Sequence, residues 1–208
     1  MSGFPSKARA VVIGGGAVGC SVAYHLAKLG WSDVVLLERK RLTSGTTWHA
    51  AGLIGQLRAT LNLTRLAKYS AELYDGLEAE TGVAIGYRRN GSLGLALSAH
   101  RLEEFARGAS MAATFGLEAH MLTPAECAAR HPLAAMHGVQ GGVFLPTDGH
   151  ADPAKIALAL AKGARQRGVR VIENVAVTGI TRDRGRVTGV ETEHGPIAAE
   201  YVVNCAGM

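Results

Sequence analysis

Arg9-Ala10-Val11-Val12-Ile13-Gly14-Gly15-Gly16-Ala17-Val18-Gly19 decides the fold of this 208-residue chain. The apolar run Arg9 to Ile13 reads as a buried parallel strand, and the glycines after it have the spacing G-x-G-x-x-G. Beyond them Val18, Val22, Leu26 and Leu29 recur at helical spacing and Gly30 ends the helix. Val34-Val35-Leu36-Leu37 then makes a second buried strand, closed by Glu38. Strand, glycine turn, helix and strand together form a βαβ unit of the kind that binds dinucleotides.

In that setting each glycine has its own task. Gly14 permits the tight turn, Gly16 lets the backbone approach a pyrophosphate, and Gly19 allows close packing of helix on strand. Ala17 and Val18 begin the helix, whose N-terminus offers N–H groups and a positive dipole end to phosphate. Glu38, about 20 residues past the glycines, is placed to accept hydrogen bonds from ribose hydroxyls. An acid there argues against a 2′-phosphate and hence against NADP. FAD and NAD remain unseparated by this unit.

The next segment separates them. Glu38-Arg39-Lys40-Arg41-Leu42-Thr43-Ser44-Gly45-Thr46-Thr47-Trp48-His49-Ala50-Ala51-Gly52-Leu53 resembles the sarcosine dehydrogenase and dimethylglycine dehydrogenase family, flavoproteins of the D-amino-acid-oxidase/glycine-oxidase superfamily. The resemblance implies an α/β fold: a Rossmann-like FAD-binding domain carrying an inserted, partial α+β substrate domain. The boundaries expected are 1–60 for the βαβ unit and attachment loop, 61–150 for the substrate region, and 151–208 for the return to the FAD-binding domain.

In the family the histidine of this motif carries FAD through a bond to the flavin's 8α-methyl carbon, so the resemblance assigns covalent attachment to His49. A neutral imidazole nitrogen is a competent nucleophile. Without the resemblance, His49 reads as an ordinary loop histidine. Ala50, Ala51 and Gly52, with Leu53 after them, let backbone lie against the isoalloxazine ring. Thr46 and Thr47 offer hydroxyl and N–H groups to the pyrophosphate, and Arg39 heads a basic triplet bordering the adenosine phosphates.

Later segments resemble the same family. Gly91 to Leu97 reads as a substrate-domain strand, followed by an amphipathic helix from Arg101. Gly142 to Pro153 resembles the family's returning loop, with Asp152 as N-cap and Pro153 in the first turn of a helix through Arg167. Asp148 and His150 read as turn chemistry with solvent exposure. Strands are expected at 169–172 and 175–180, then a small antiparallel meander and a further buried strand. By resemblance, Val177 contacts adenine through its backbone, and Val202-Val203-Asn204-Cys205-Ala206-Gly207 forms a second glycine turn in which Ala206 and Gly207 approach the FAD phosphates.

The activity implied is oxidative demethylation of an N-methylglycine. A hydride passes from the N-methyl group to flavin N5, giving glycine and formaldehyde or, in full-length relatives, a tetrahydrofolate-bound one-carbon unit. An electron-transfer flavoprotein is the implied electron partner. Sarcosine is favoured over dimethylglycine by Tyr24 to Gly30, Leu37 to Arg39, Leu42 to His49 and Gln56-Leu57-Arg58. A different amine-oxidising flavoprotein and a regulatory, non-catalytic FAD-binding paralogue are the alternatives. An NAD-dependent dehydrogenase would leave the Thr46-to-Leu53 motif and the second turn unexplained. No residue here is assigned as catalytic. The family's flavoprotein region continues past the second turn, so these residues are expected to be its N-terminal part and inactive alone.

Composition fits a soluble α/β protein, with 48% hydrophobic residues and 27 glycines. The formal charge of +5 comes from 22 basic against 17 acidic residues, but the basic ones are scattered and aromatics are only 5%, so no nucleic-acid partner is expected. No apolar run approaches the ~20 residues that span a membrane. Met1 to Arg9 leads straight into the first strand, leaving no room for a targeting segment and implying a cytoplasmic protein. Cys20, Cys127 and Cys205 lack redox or metal spacing, and His131 and His137 lack a third ligand, so no metal is expected.

Overall fold

The structure, a computed structural model, describes residues 3–208. In chain order its elements are β1 (Lys7–Ile13), α1 (Ala17–Lys28), β2 (Val34–Glu38), β3 (Leu53–Ile54), α2 (Leu61–Thr81), β4 (Ser92–Ala96), α3 (Ala99–Thr114) and β5 (His120–Leu122). They continue with α4 (Pro124–Arg130), β6 (Gly141–Leu145), β7 (Gly149–His150), α5 (Pro153–Gln166), β8 (Arg170–Glu173), β9 (Val177–Asp183), β10 (Arg186–Thr192) and β11 (Ile197–Asn204).

These elements form two compact units. One comprises residues up to Ala51, Gly76–Ile85 and the chain from Asp152 onward; the other comprises Gly52–Asp75 and Gly86–Ala151. The first crossing thus falls at Ala51, not at residue 60. Gly76–Ile85, expected within the inserted region, joins the first unit for a physical reason. Leu77 and Ile85 are fully buried, and Glu80 accepts 2.8 Å hydrogen bonds from the Tyr24 hydroxyl on both carboxylate oxygens while pairing with Arg167 at 2.9 Å.

The first unit is built on a six-stranded sheet in the order β8-β2-β1-β11-β10-β9. The four strands from β8 to β11 run parallel, whereas β10 and β9 extend the sheet antiparallel. Parallel strands covered on both faces need continuous apolar sequence, and Val34, Val35, Leu36 and Leu37 are all buried. A core of Ala8, Val11, Val35, Leu37, Val175, Val190, Ile197 and Ala199 joins β1, β2, β10 and β11.

Helix α1 lies where expected, but its buried face differs from the expected one. Gly19, Cys20, Ala23, Tyr24 and Ala27 face inward, while Val18 is 66% and Leu29 77% exposed. That face packs on α5, where the Tyr24 ring stands over Gly163, and Val22 and Leu26 are left half-buried. Cys20 belongs to this packed face. Burial pushes its thiol up to about 12, which marks it as a core group and not a reactive one.

The second unit contains an antiparallel sheet, β4-β6-β5, and a two-stranded ribbon of β3 with β7. Helix α3 is capped by Ser98, whose hydroxyl accepts from the Arg101 N–H. Helix α4 begins with a full capping box between Thr123 and Glu126. Residues 142–145, expected as part of a loop, belong to the central strand β6. Its two glycines hid a strand whose other residues, Val143, Phe144 and Leu145, pack on its neighbours.

Asp148 corrects a second expectation. It is only 4% exposed, with one carboxylate oxygen accepting from the Gln56 N–H at 2.9 Å and the other from the Ser92 hydroxyl at 2.7 Å. Sequence showed a turn acid; burial makes it the knot tying three segments of this unit. His150, in contrast, is exposed and its ring contacts Asn90 Oδ1 at 3.1 Å. Removing the Asp148 carboxylate strands buried donors, so Asp148→Ala should cost about 3 kcal/mol in denaturant unfolding. Asp148→Asn, which keeps an acceptor for Gln56, should cost less.

Candidate dinucleotide site

The carboxyl ends of β1, β2 and β11 meet on one side of the first unit's sheet. Strand β1 connects through α1 to β2 on one flank and lies beside β11 on the other, so the chain reverses direction across the sheet at this point. Such switch points are where open parallel sheets bind ligands. Here they open onto a cleft of about 370 Å³.

The cleft assembles residues far apart in sequence. From the first turn come Gly14, Gly16, Ala17 and Val18; from the end of β2 come Glu38 and Arg39; from the following loop come Thr46 and Thr47; and from the second turn come Ala206 and Gly207. Lys40, of the basic triplet, and Ala50, of the small-residue run, also line it, together with Gly15, Ser44, Gly45, Cys205 and Met208, which were not singled out from sequence. Ser44 and Gly45 lay inside the family motif, but residue type alone did not reveal which of its residues face inward.

Other expected site residues lie elsewhere. Gly19 supports the cleft without lining it: a Cβ built there would come within 1.9 Å of the Gly14 carbonyl oxygen. His49 and Ala51 follow the lining residue Thr47 but are outside the lining, as is Val177, whose side chain packs on the core beneath β9. Gly52 and Leu53 belong to the second unit, where Leu53 pairs with His150.

Local geometry shows how the cleft is held open. Gly14 adopts φ +105°, and a Cβ there would lie 2.3 Å from the Cys205 carbonyl oxygen, so the two glycine turns touch backbone to backbone. The Gly15 N–H donates to Glu38 Oε2 at 2.7 Å and the Lys40 N–H to Oε1 at 2.9 Å. Glu38 therefore locks the first turn to the end of β2 as well as facing the cleft, and a carboxylate's remaining lone pairs stay available to a ligand. Thr47 Oγ1 accepts from the Ala17 N–H at 3.0 Å, fixing the loop to the start of α1. Thr43, a β-branched residue held at φ 69°, donates its N–H to the Gly15 carbonyl and keeps the loop in place.

The electrostatics suit an anion with an adenosine attached. Helix α1 has no acidic residue in its first turn; the Ala17 N–H is taken by Thr47 Oγ1, and the positive end of the helix faces the cleft where Gly16, Ala17 and Val18 line it. Gly16 keeps that wall low, since a Cβ there would stand 3.0 Å from Thr47 Oγ1. Arg39 and Lys40 add positive charge, and Glu38 supplies an acceptor beside them. This arrangement defines a dinucleotide-binding Rossmann-type protein with a two-turn phosphate site. Among the described residues no helix is long and apolar enough to cross a membrane, and no cluster of three or more His, Cys, Asp or Glu is arranged to hold a metal.

Comparison with known proteins makes the class specific. The FAD dependent oxidoreductase (DAO) family profile matches residues 9–208, and the chain belongs to that family. It is 49% identical to human mitochondrial sarcosine dehydrogenase over 98% of this chain and 23% of that protein. Identity is 42% to the mouse mitochondrial pyruvate dehydrogenase phosphatase regulatory subunit, over 98% and 23%, and 40% to human mitochondrial dimethylglycine dehydrogenase, over 97% and 23%. The chain thus spans about a quarter of the length of these relatives. Among solved structures, L-proline dehydrogenase from P. horikoshii superposes with a TM-score of 0.91 at 32% identity, covering 97% of this chain and 53% of that one. FAD is the dinucleotide the family implies, and the low Gly16 wall, the N-terminus of α1 and the acid beside the two bases fit it.

Proposed function

We propose that this chain is the FAD-binding portion of a sarcosine dehydrogenase-like enzyme that oxidises the N-methyl group of an N-methylglycine. The observation that carries the reading is the cleft at three strand ends, where both glycine turns converge within a chain of the FAD dependent oxidoreductase family. The greater identity to sarcosine dehydrogenase than to dimethylglycine dehydrogenase supports sarcosine as the substrate. Bound FAD would supply a two-electron acceptor for the N-methyl hydride, after which hydrolysis of the substrate iminium yields glycine and formaldehyde.

The chain's own residues hold and orient. The first turn and α1 carry the diphosphate, Glu38 accepts from the adenosine ribose, and Ala206 and Gly207 bring backbone to the phosphates from the opposite wall. His49 would make the attachment permanent. A ring nitrogen would be joined to the 8α carbon, with the imidazole N–H proton, one methyl hydrogen and two electrons taken up by dioxygen as hydrogen peroxide. Transfer of electrons to a flavoprotein partner, delivery of the one-carbon unit to tetrahydrofolate and a cytoplasmic location complete the proposal.

Acid precipitation after incubation with FAD tests it. The pellet should keep flavin on the peptide containing His49, and sarcosine should bleach the flavin of the protein extended to the length of its relatives. A flavin unaffected by sarcosine would favour the second reading, a regulatory FAD-binding subunit, which the 42% identity to the phosphatase regulatory subunit supports.

Glu38 gives an independent check on the adenosine end. In Glu38→Ala the Gly15 and Lys40 N–H groups lose charged acceptors worth about 1.5–3 kcal/mol each. FAD affinity, measured by fluorescence titration in a His49→Ala background, should fall about tenfold or more. Unchanged affinity would remove Glu38 from the binding site.

A further inference from the structure

Two carboxylates end neighbouring strands of the first unit's sheet. Glu38 closes β2 and Glu173 closes β8, paired in register. Glu38 lines the cleft and Glu173 does not. Glu173 Oε1 accepts the Leu42 N–H at 2.7 Å, across 131 residues of chain, and its other oxygen lies 3.7 Å from the Arg165 guanidinium of α5. The next residue, Asn174, held at φ 61°, donates its N–H to the Lys40 carbonyl at 2.8 Å. The end of β8 thus grips the basic loop at Lys40 and again at Leu42. Leu42 is 6% exposed and packs on the first turn, where a Cβ at Gly15 would stand 2.5 Å from its Cδ2. Arg39 and Lys40, just ahead of that anchor, line the cleft, and among the described residues neither side chain has an ion-pair partner.

We propose that Glu173 is a positioning residue for the diphosphate of the bound dinucleotide, acting through Arg39 and Lys40. A long basic side chain adds to anion binding only where its backbone is already fixed, because ordering a free loop offsets the Coulomb gain. A carboxylate is the strong acceptor for that purpose, since its hydrogen bond to an N–H is charge-assisted. Nothing else nearby can replace it. The two oxygens of Glu38 are engaged by the Gly15 and Lys40 N–H groups, and the apolar packing of Leu42 is non-directional. The inference rests on the cofactor reading above and adds to it the residue that aims the cleft's two cations.

The test compares Glu173→Ala and Glu173→Gln with their parent in the full chain, all in the His49→Ala background that keeps binding reversible, with FAD and ADP as probes. At low salt Glu173→Ala should weaken both about fivefold, the scale on which members of one hydrogen-bond network couple. Glu173→Gln keeps an oxygen for the Leu42 N–H and should recover most of the affinity. Added salt should narrow the gap between the parent and Glu173→Ala, because screening removes the contribution of the two cations. Once Arg39→Ala and Lys40→Ala are in place, Glu173→Ala should change affinity by less than about twofold. Parental affinity in Glu173→Ala would overturn the proposal. A loss that persists undiminished without the two cations would overturn it in favour of a purely structural carboxylate. If ADP followed this pattern while FAD did not bind, the cofactor reading would fall and the role of Glu173 would stand; a parent that bound neither would overturn both.

Discussion

Gly19→Val should unfold the first unit more readily than any other single change at the glycine turns, lowering stability by about 3 kcal/mol or more. A Cβ at position 19 would stand 1.9 Å from the Gly14 carbonyl oxygen and 3.0 Å from its carbon. That neighbour is backbone, so no rotamer can relieve the overlap; α1 must move away from β1 or the turn must open. The same carbonyl lies beside the second turn, since position 14 touches the Cys205 carbonyl. Displacing α1 therefore disturbs both phosphate walls, and FAD binding should be lost together with stability. Gly16→Ala provides the contrast. Its Cβ would meet only Thr47 Oγ1, at 3.0 Å, so the fold should persist while FAD affinity falls as the methyl fills the place of a phosphate contact. Denaturant unfolding followed by FAD titration separates the two. If Gly19→Val matched wild type in both measurements, the packing of α1 on the first turn would be much looser than this geometry requires.

The difference between Gly19 and Gly16 also shows how far the sequence could be read. G-x-G-x-x-G is legible because backbone approach leaves a glycine wherever a side chain cannot fit, and the β1–α1–β2 unit follows from local pattern alone. The inward face of α1 was not legible in the same way. Valine and leucine periodicity points to Val18, Val22, Leu26 and Leu29, but α1 also packs on α5, and Ala23, Tyr24 and Ala27 are buried instead, with the Tyr24 ring over Gly163. Hydrophobicity marks what prefers burial, whereas the elements packed around a helix decide which face is covered. Asp148 was missed for the opposite reason. Its partners Gln56 and Ser92 are 92 and 56 residues away, so only the assembled second unit reveals that a turn acid is a buried knot. The second glycine turn was read through resemblance; its placement beside Gly14 depends on β11 pairing with β1, a contact between the two ends of the chain.

In His49→Ala, acid-stable flavin should fall to background while non-covalent FAD affinity stays within about threefold of wild type, less than the tenfold of 1.4 kcal/mol. The argument turns on where the structure puts the residue. Thr47 lines the cleft and is fixed to α1 through its hydroxyl, which accepts from the Ala17 N–H at 3.0 Å. His49 lies two positions further, outside the lining and exposed. Two residues of chain reach at most about 7 Å, close enough for an imidazole to serve a ligand in the cleft and far enough that its removal leaves the phosphate walls untouched. The turn itself survives the change, because its bonds, His49 N–H to the Thr46 carbonyl and Ala50 N–H to the Thr47 carbonyl, are all backbone. Peptide mass mapping of acid-precipitated protein, paired with fluorescence titration of FAD, measures both quantities. Flavin retained covalently by His49→Ala would move the attachment to another residue. Loss of affinity along with attachment would instead make His49 part of the reversible binding surface, with its imidazole held by contacts to the cofactor and not by a bond.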